Sequence, residues 1–215
     1  MKKNVLSRKE RFEFALPIFE EMMPEPVSEL NFSSPFQLLI AVILSAQCTD
    51  KRVNMVTPAL FAAFPTPQAM AQASLEALES YIKTCGFHHS KAKDIIACAQ
   101  KLVNEFDGQV PRDLDTLLTL PGVGRKTANL LLGDIFGTPG SVVCDTHCIR
   151  ICERLGLSKG KDPEKVEQQL RKILPPEESS DFCHRIVLFG RDCCTARNPK
   201  CDECPLTMFC KEFNP

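Results

Sequence analysis

Two short stretches carry residues whose types and spacing could do chemistry. The first is a C-terminal series, Cys194, Cys201, Cys204 and Cys210, spaced Cys-x6-Cys-x2-Cys-x5-Cys. Thiolates this close in sequence repel one another unless a metal centre lowers their pKa values. Zinc sites usually pair two short Cys-x2-Cys units, whereas one such unit between wider gaps suits an iron–sulfur cluster. The spacing favours a cluster over zinc or four free thiols, and the adjacent Cys193 is an alternative ligand.

The second stretch is LPGVGRKTA, residues 120–128. Its two glycines predict a turn between helices, because glycine permits positive φ and close approach of another backbone. The helix that follows presents unpaired N–H groups and the positive end of its dipole, which together suit a phosphate. The three letters GVG alone fit a plain inter-helix turn equally well. The whole stretch is typical of a helix-hairpin-helix element, which holds a nucleic-acid backbone without reading sequence.

Lys126 lies on the first turn of that helix. A lysine amine is normally protonated at neutral pH, but the helix N-terminus, Arg125 and partial burial all disfavour the ammonium form. The amine could therefore act as a nucleophile; a simple phosphate contact is the alternative. The helix advances roughly 15 Å, and an extended segment 141–145 returns a similar distance. We expect Asp145 to return beside Lys126, able to stabilise developing positive charge while also capping the next helix.

The elements that must position these residues are helical nearly throughout. Period-two alternation is absent from the sequence, and the links are short, which predicts an all-α fold. Capping residues indicate where helices begin: Ser34, Thr49, Thr66, Ser74, Ser90, Asp113, Asp145 and Asp162. A helix is predicted over 124–136, and periodicity stops after Gly190, where the cysteines cluster.

Composition sets wider bounds. The chain has 215 residues, 44% of them hydrophobic, which suits one large or two small domains. Neither a membrane-spanning run nor a signal peptide is recognisable, so we expect a cytoplasmic protein that does not bind membranes. The net charge of −1 argues mildly against a nucleic-acid partner. Binding depends on the local field, however, and residues 185–200 carry four cations against one acid.

Taken together, the motifs resemble the endonuclease III family of the helix-hairpin-helix DNA glycosylase superfamily. The resemblance rests on LPGVGRKTAN, on VCDTH around Asp145, and on the four-cysteine series. LSAQCTDKRVN (44–54) and YIKTCGFHHSKA (81–92) match the family as well. The resemblance extends in one continuous order from about residue 12 to residue 210.

The resemblance implies two helical domains flanking a DNA-binding groove. One is a six-helix barrel at 28–138 that includes the hairpin. The other combines 1–27 with 139–215 and carries a [4Fe–4S] cluster on Cys194, Cys201, Cys204 and Cys210.

The activity it implies is that of a DNA glycosylase and AP lyase acting in base excision repair. A monomer would bind double-stranded DNA containing oxidised pyrimidines or abasic sites and flip the damaged base out of the stack. It would work in the cytoplasm, associated with the nucleoid while acting on DNA. Lys126 would attack the sugar C1′ to form a Schiff base, with Asp145 as its carboxylate partner, and β-elimination would cut the strand.

The resemblance also implies DNA contacts. Gln47 would fill the gap left by the flipped base, and Phe87 would act as an apolar wedge where the family often has leucine. Without the resemblance, a polar helix end and a core aromatic are the simpler interpretations of these two residues. Six further positions would contact the DNA backbone: Leu120, Gly122 and Gly124 in the hairpin, with Arg191, Arg197 and Lys200 around the cysteine loop.

Two rival functions are less consistent with the residues. An adenine-mismatch glycosylase of the same superfamily would usually lack Lys126 and carry a catalytic glutamate around 44–47, where this chain has Ser45-Ala46-Gln47. A non-catalytic helix-hairpin-helix module would need the turn but not the pairing of Lys126 with Asp145.

Overall fold

The computed structural model describes residues 6–213, and it confirms the all-α fold for that part of the chain. The helices in chain order are α1 (Arg8–Met22), α2 (Pro35–Ser45), α3 (Asp50–Ala63), α4 (Pro67–Ala71), α5 (Leu75–Ile82), α6 (His88–Phe106), α7 (Leu114–Leu117), α8 (Arg125–Asp134), α9 (Thr146–Leu155), α10 (Pro163–Leu170) and α11 (Ser179–Asp192). Three 3₁₀ turns, Pro176–Glu178, Cys201–Glu203 and Thr207–Phe209, complete the described elements. None of the described helices has the length and apolar character needed to cross a bilayer.

The chain divides into two compact units. One is Ser28–Phe136, and the other combines the chain up to Val27 with the chain from Gly137 onward. The sequence interpretation placed the boundary after residue 138, two residues later. Residues 1–5 and 214–215, which the predicted second domain includes, lie outside the described part of the chain.

Most helix starts follow the predicted caps. The side chains of Ser34, Thr49, Thr66, Ser74, Asp113, Asp145 and Asp162 each accept a hydrogen bond from a first-turn amide. The start predicted at Ser90 is wrong: α6 begins at His88, and Phe87 precedes it without a side-chain cap. Helix α8 is also shorter than the predicted 124–136.

Helix α2 is the centre of the Ser28–Phe136 unit. Pro35 opens the helix, and the eight residues Phe36 and 38–44 are all buried. A helix that is apolar on every side belongs in a core, and α2 packs against α3, α6 and α8. The end of α2 is therefore held rigidly, and it leads directly into the segment that contains Gln47.

In the second unit, aromatic rings dock α1 onto α11. Phe19 meets Phe189 at 5.2 Å between ring centroids, and Phe12 meets Phe182 at 5.4 Å, both edge to face. Such pairs add about 0.5–1.5 kcal/mol each beyond the area that they bury. The Arg11 guanidinium also donates to the carbonyl of Phe209 at 2.7 Å. The N-terminal helix is thus tied to the segment that carries the cysteines.

Candidate functional site

The helix-hairpin-helix element runs from α7 through residues 118–124 to α8. Asp113 caps α7 by accepting from the Thr116 amide at 2.8 Å, and this contact lowers the pKa of the Asp113 carboxyl. Leu120 is buried, and its carbonyl accepts from the Val123 amide at 3.1 Å, which closes the turn. Leu120 therefore anchors the hairpin in the core, and its side chain is not part of an exposed surface.

The two glycines of the turn have different roles. Gly122 has φ +74°, and a Cβ there would lie 3.0 Å from the Cβ of Asp94, so both conformation and space require glycine. Gly124 has φ −100°, and a Cβ built on it meets nothing within 4 Å. The expectation of positive φ therefore holds for Gly122 alone. The protein itself does not demand glycine at 124, which is consistent with a close approach there by another molecule.

Lys126 is the second residue of α8, and its side chain is exposed, so the partial burial expected from the sequence is wrong. Gly124, the N-cap, offers no side chain to the first turn, so α8 begins without a side-chain cap. The buried face of the helix, which includes Ala128 and Leu131, fixes Lys126 on the opposite side. The structure therefore presents an amine beside a helix N-terminus that lacks a side-chain acceptor of its own.

Asp145 caps α9 in the second unit. One carboxylate oxygen accepts from the Cys148 amide at 2.8 Å, and the other lies 3.1 Å from Nδ1 of His147. Both oxygens are thus oriented by the local chain. The cap was expected from the sequence, whereas His147 as a carboxylate partner was missed, although its place in VCDTH was a usable signal.

Gly190 allows the close crossing of α9 and α11 that positions His147. A Cβ at Gly190 would lie 2.7 Å from Cδ2 of His147 and 2.8 Å from Cδ1 of Ile151. Real Cβ atoms do not tolerate such distances, so a side chain at 190 would force the side chains of His147, Ile151 and Arg150 to move. Gly190 is therefore a positioning residue for the Asp145–His147 pair.

Gln47 and Phe87 share an unusual backbone conformation. Their φ values are +52° and +57°, in the left-handed region that residues other than glycine rarely occupy. Both are exposed, and Phe87 is 66% exposed, so neither is a core residue. Left-handed non-glycine residues cost energy and are concentrated at functional sites. The simpler interpretation of Phe87 as a core aromatic is wrong.

The segments bearing Gln47 and Phe87 lie against each other. A Cβ on Gly86 would lie 3.5 Å from the carbonyl oxygen of Gln47. Lys91, buried on α6, donates from Nζ to the Leu44 carbonyl at 2.8 Å and so joins the start of α6 to the end of α2. The sequence did not reveal Lys91, because its partner lies 47 residues away.

The four predicted cysteine ligands line one cavity of ≈ 210 Å³ in the second unit. Arg154, Phe189, Lys200 and the additional Cys193 also line it. Burial, together with the charges of neighbouring cysteines, raises the pKa of Cys204. A metal centre would remove that cost by binding the thiolates.

Cys193 differs from the four predicted ligands, although it lines the same cavity. Cys193 is more buried than Cys194, and burial followed by the charge of Cys204 raises its pKa to about 12. Its thiol donates to the Lys200 carbonyl at 3.9 Å, and it also lies next to Cys204, which affects its pKa.

Two arginines one turn apart on α9 hold the start of the cysteine loop. Arg154 Nη1 lies 3.2 Å from Sγ of Cys194 and donates to the Thr195 carbonyl at 3.0 Å. Arg150 donates to the Cys194 carbonyl at 3.1 Å and to the Gly190 carbonyl at 3.2 Å. Sequence reasoning missed both arginines, since only their i, i+4 spacing hinted at a shared face.

The cations predicted around the loop are exposed. Arg191 lies just before the cysteine loop, and Arg197 lies within it. The backbone amide of Lys200 donates to the Cys193 carbonyl at 3.0 Å and so closes the loop. A loop held in this way can present charge without a large loss of side-chain and loop entropy on binding.

Comparisons with known proteins identify the families that this arrangement matches. The model of the HhH-GPD superfamily base excision DNA repair protein matches residues 40–176, and the iron-sulfur binding domain of endonuclease III matches residues 194–210. Endonuclease III of Synechocystis sp. is 44% identical over 208 residues, 97% of this chain and 95% of that protein. Endonuclease III of Escherichia coli is 46% identical over 191 residues, covering 89% and 90%.

Solved structures agree. A trapped covalent intermediate of endonuclease III with DNA, an estranged-adenine complex, superposes with a TM-score of 0.92 at 42% identity, covering 97% of this chain and 98% of that one. A thermostable thymine-DNA glycosylase superposes with a TM-score of 0.85 at 20% identity, covering 96% and 97%, which shows a shared fold.

Proposed function

Because the chain belongs to the endonuclease III family of base-excision DNA glycosylases with AP lyase activity, we propose that it removes oxidised pyrimidines from duplex DNA through a Schiff base on Lys126. The observation that carries the proposal is the placement of Lys126 itself. Its exposed amine follows a hairpin whose uncapped helix N-terminus suits a DNA phosphate. A similar protein has been trapped covalently on DNA, which also supports it.

The reaction begins when the neutral Lys126 amine attacks C1′ of the damaged nucleotide. The bond from nitrogen to C1′ forms as the glycosidic bond breaks, and the base leaves with the bonding electrons and takes up a proton. Opening of the sugar ring yields a protonated Schiff base. Loss of a C2′ proton then expels the 3′ phosphate by β-elimination, and water releases the enzyme.

Asp145 provides the negative charge that stabilises the cationic species formed in this reaction. Its carboxylate is fixed by the Cys148 amide and by His147, so it is oriented before substrate binds. Preorganised charge of this kind typically contributes about 10²–10³-fold to a rate. We assign Asp145 to stabilising positive charge at the sugar and Lys126.

Recognition of the lesion is assigned to Gln47 and Phe87. Two exposed side chains on adjacent strained segments are suited to enter a base stack together. Gln47 occupies the gap left by the flipped base, and Phe87 separates the neighbouring bases, while Gly122, Gly124 and the loop cations hold the backbone.

The cysteines Cys194, Cys201, Cys204 and Cys210 hold the [4Fe–4S] cluster of this iron–sulfur domain. When bound, the cluster supplies a rigid cross-link for a segment that has few apolar residues of its own. Arg154 orients Cys194, and the loop presents Arg197 and Lys200 to phosphates. A monomer acting in the cytoplasm on nucleoid DNA remains our prediction for the working form.

Borohydride trapping tests the chemistry. With duplex DNA containing one oxidised pyrimidine, we expect a covalent complex that is lost in Lys126→Ala. Lys172→Ala is the control, because it removes an exposed lysine that the proposed chemistry does not use; at saturating DNA it should trap like the parent. If Lys126→Ala trapped as well as the parent, the nucleophile would be misassigned. A panel of duplexes with single defined lesions identifies the preferred base.

A further inference from the structure

Two thiols belong to the neighbouring segments that carry Gln47 and Phe87. Cys48 directly follows Gln47, and Cys85 lies two residues before Phe87. The two thiols are neighbours, since Cys48 is close enough to affect the pKa of Cys85. The backbones are also in contact, since Gly86 approaches the carbonyl oxygen of Gln47. The pair therefore spans two strained segments that are almost 40 residues apart in the chain.

The two thiols differ in their exposure to solvent. Cys48 is half-buried, whereas Cys85 is 1% exposed. Burial, followed by the charge of Cys48, raises the pKa of Cys85 to about 11, although Lys91 and Arg52 act in the opposite direction. Cys85 is thus a protected thiol, and an oxidant from solution meets Cys48 first.

We propose that Cys48 and Cys85 form a redox modification site, in which a hydroperoxide oxidises the pair to a disulfide that restrains the Gln47 and Phe87 segments. The sulfur of Cys48 attacks the peroxide, whose O–O bond breaks to give a sulfenic acid and an alcohol or water. The sulfur of Cys85 then displaces hydroxide from the sulfenic acid, forming the S–S bond and releasing water. Two thiols are oxidised and one hydroperoxide is reduced.

The functional consequence rests on the proposed function. Gln47 and Phe87 must adjust as the DNA opens between them, and both already occupy a costly backbone conformation. A covalent bond between the adjacent residues pulls the segments together and limits that adjustment. Small misplacements near a reacting centre cost about 100-fold in rate. We expect the oxidised protein to excise bases at least tenfold more slowly and to recover with a thiol reductant.

Peptide mapping detects the bond unambiguously. Trypsin releases residues 12–51 with Cys48 as the only cysteine and residues 84–91 with Cys85 as the only cysteine. The holoprotein is treated with limiting hydrogen peroxide, alkylated and digested without reduction. The expected product is a single species joining these two peptides, lighter by two hydrogen atoms than their sum. Cluster absorbance recorded before and after shows that the iron–sulfur domain has survived.

Matched variants separate the pair from other thiols. Cys48→Ser should abolish both the linked peptide and the reversible loss of activity. Cys98→Ser is the control, because Cys98 is a buried thiol of the same unit on α6 and lies away from the two segments. It should behave as the parent in both measurements.

Three results would overturn the proposal. One is the absence of the linked peptide while Cys48 is oxidised to a sulfinic acid. Another is a different partner for Cys48 in the peptide map. The third is a linked, cluster-intact protein that excises at the reduced rate. Borohydride trapping of the reduced protein is measured alongside, so a failure of the proposed chemistry is seen separately from a failure of the disulfide.

Discussion

Replacement of Phe87 by glycine or alanine tests whether its left-handed backbone is strained. Alanine and glycine both remove the aromatic ring, which is 66% exposed. The lost packing is therefore the same in the two variants, about 0.5–1 kcal/mol if one third of a buried phenylalanine is lost. The difference between the variants isolates the backbone, because only glycine adopts φ +57° without cost.

The expected stability difference between the glycine and alanine variants at position 87 has the opposite sign from the same difference inside an ordinary helix. A left-handed residue other than glycine costs about 1–2 kcal/mol, and Phe87→Ala retains that cost. Glycine avoids it but loses about 0.5–1 kcal/mol through its freer unfolded chain. Phe87→Gly should therefore be more stable than Phe87→Ala by about 0.5–1 kcal/mol. At the exposed Lys93, inside α6, glycine should be less stable than alanine by about 1 kcal/mol.

Urea unfolding of the four holoproteins, followed by circular dichroism, measures this reversal. Single-turnover excision is measured on the same samples. Loss of the ring should slow excision equally in both Phe87 variants, by roughly 5- to 150-fold if one stacking contact of about 1–3 kcal/mol is lost. The reasoning is refuted if Phe87→Gly is less stable than Phe87→Ala by the amount found at Lys93, since the backbone would then store no strain.

Three further predictions concern the fold around the site. Asp145→Asn should keep the α9 cap, change the stability by no more than about 0.5 kcal/mol and slow excision by about 10²–10³-fold. Asp145→Ala should slow excision and also lose about 1 kcal/mol of stability, because it removes the cap. Equal stability of the two variants would contradict the capping role. Gly190→Ala should destabilise by about 1–3 kcal/mol in urea titrations although alanine normally favours helices, because its Cβ would lie 2.7 Å from His147; a stabilised variant would disprove the tight crossing. Burial lowers the pKa of Lys91, so just below pH 10.5 the unfolded chain binds more protons than the folded protein does. The stability of the parent relative to Lys91→Met should therefore rise with pH in that range. A stability difference that is independent of pH between 8 and 10.5 would argue against a charged, buried Lys91.

Much of the architecture was accessible from the sequence because it depends on local interactions. Caps such as Ser34 and Asp113 act on amides three residues away, so their positions predict where helices begin. The start of α6 was mispredicted for the same reason: Ser90 is a good local cap, but α6 begins at His88, after Phe87 in a left-handed conformation.

The sequence by itself determined the residue types that do the chemistry. The cysteine spacing, the glycine at 122 and a lysine at the start of a helix are local patterns with few physical interpretations. Tertiary structure alone decided which distant residues meet: Lys91 with Leu44, Gly190 with His147, and Gly86 with Gln47. The physical reason is that such contacts depend on how helices cross in a close-packed core, and no pattern along one segment encodes the neighbour that packing will bring to it.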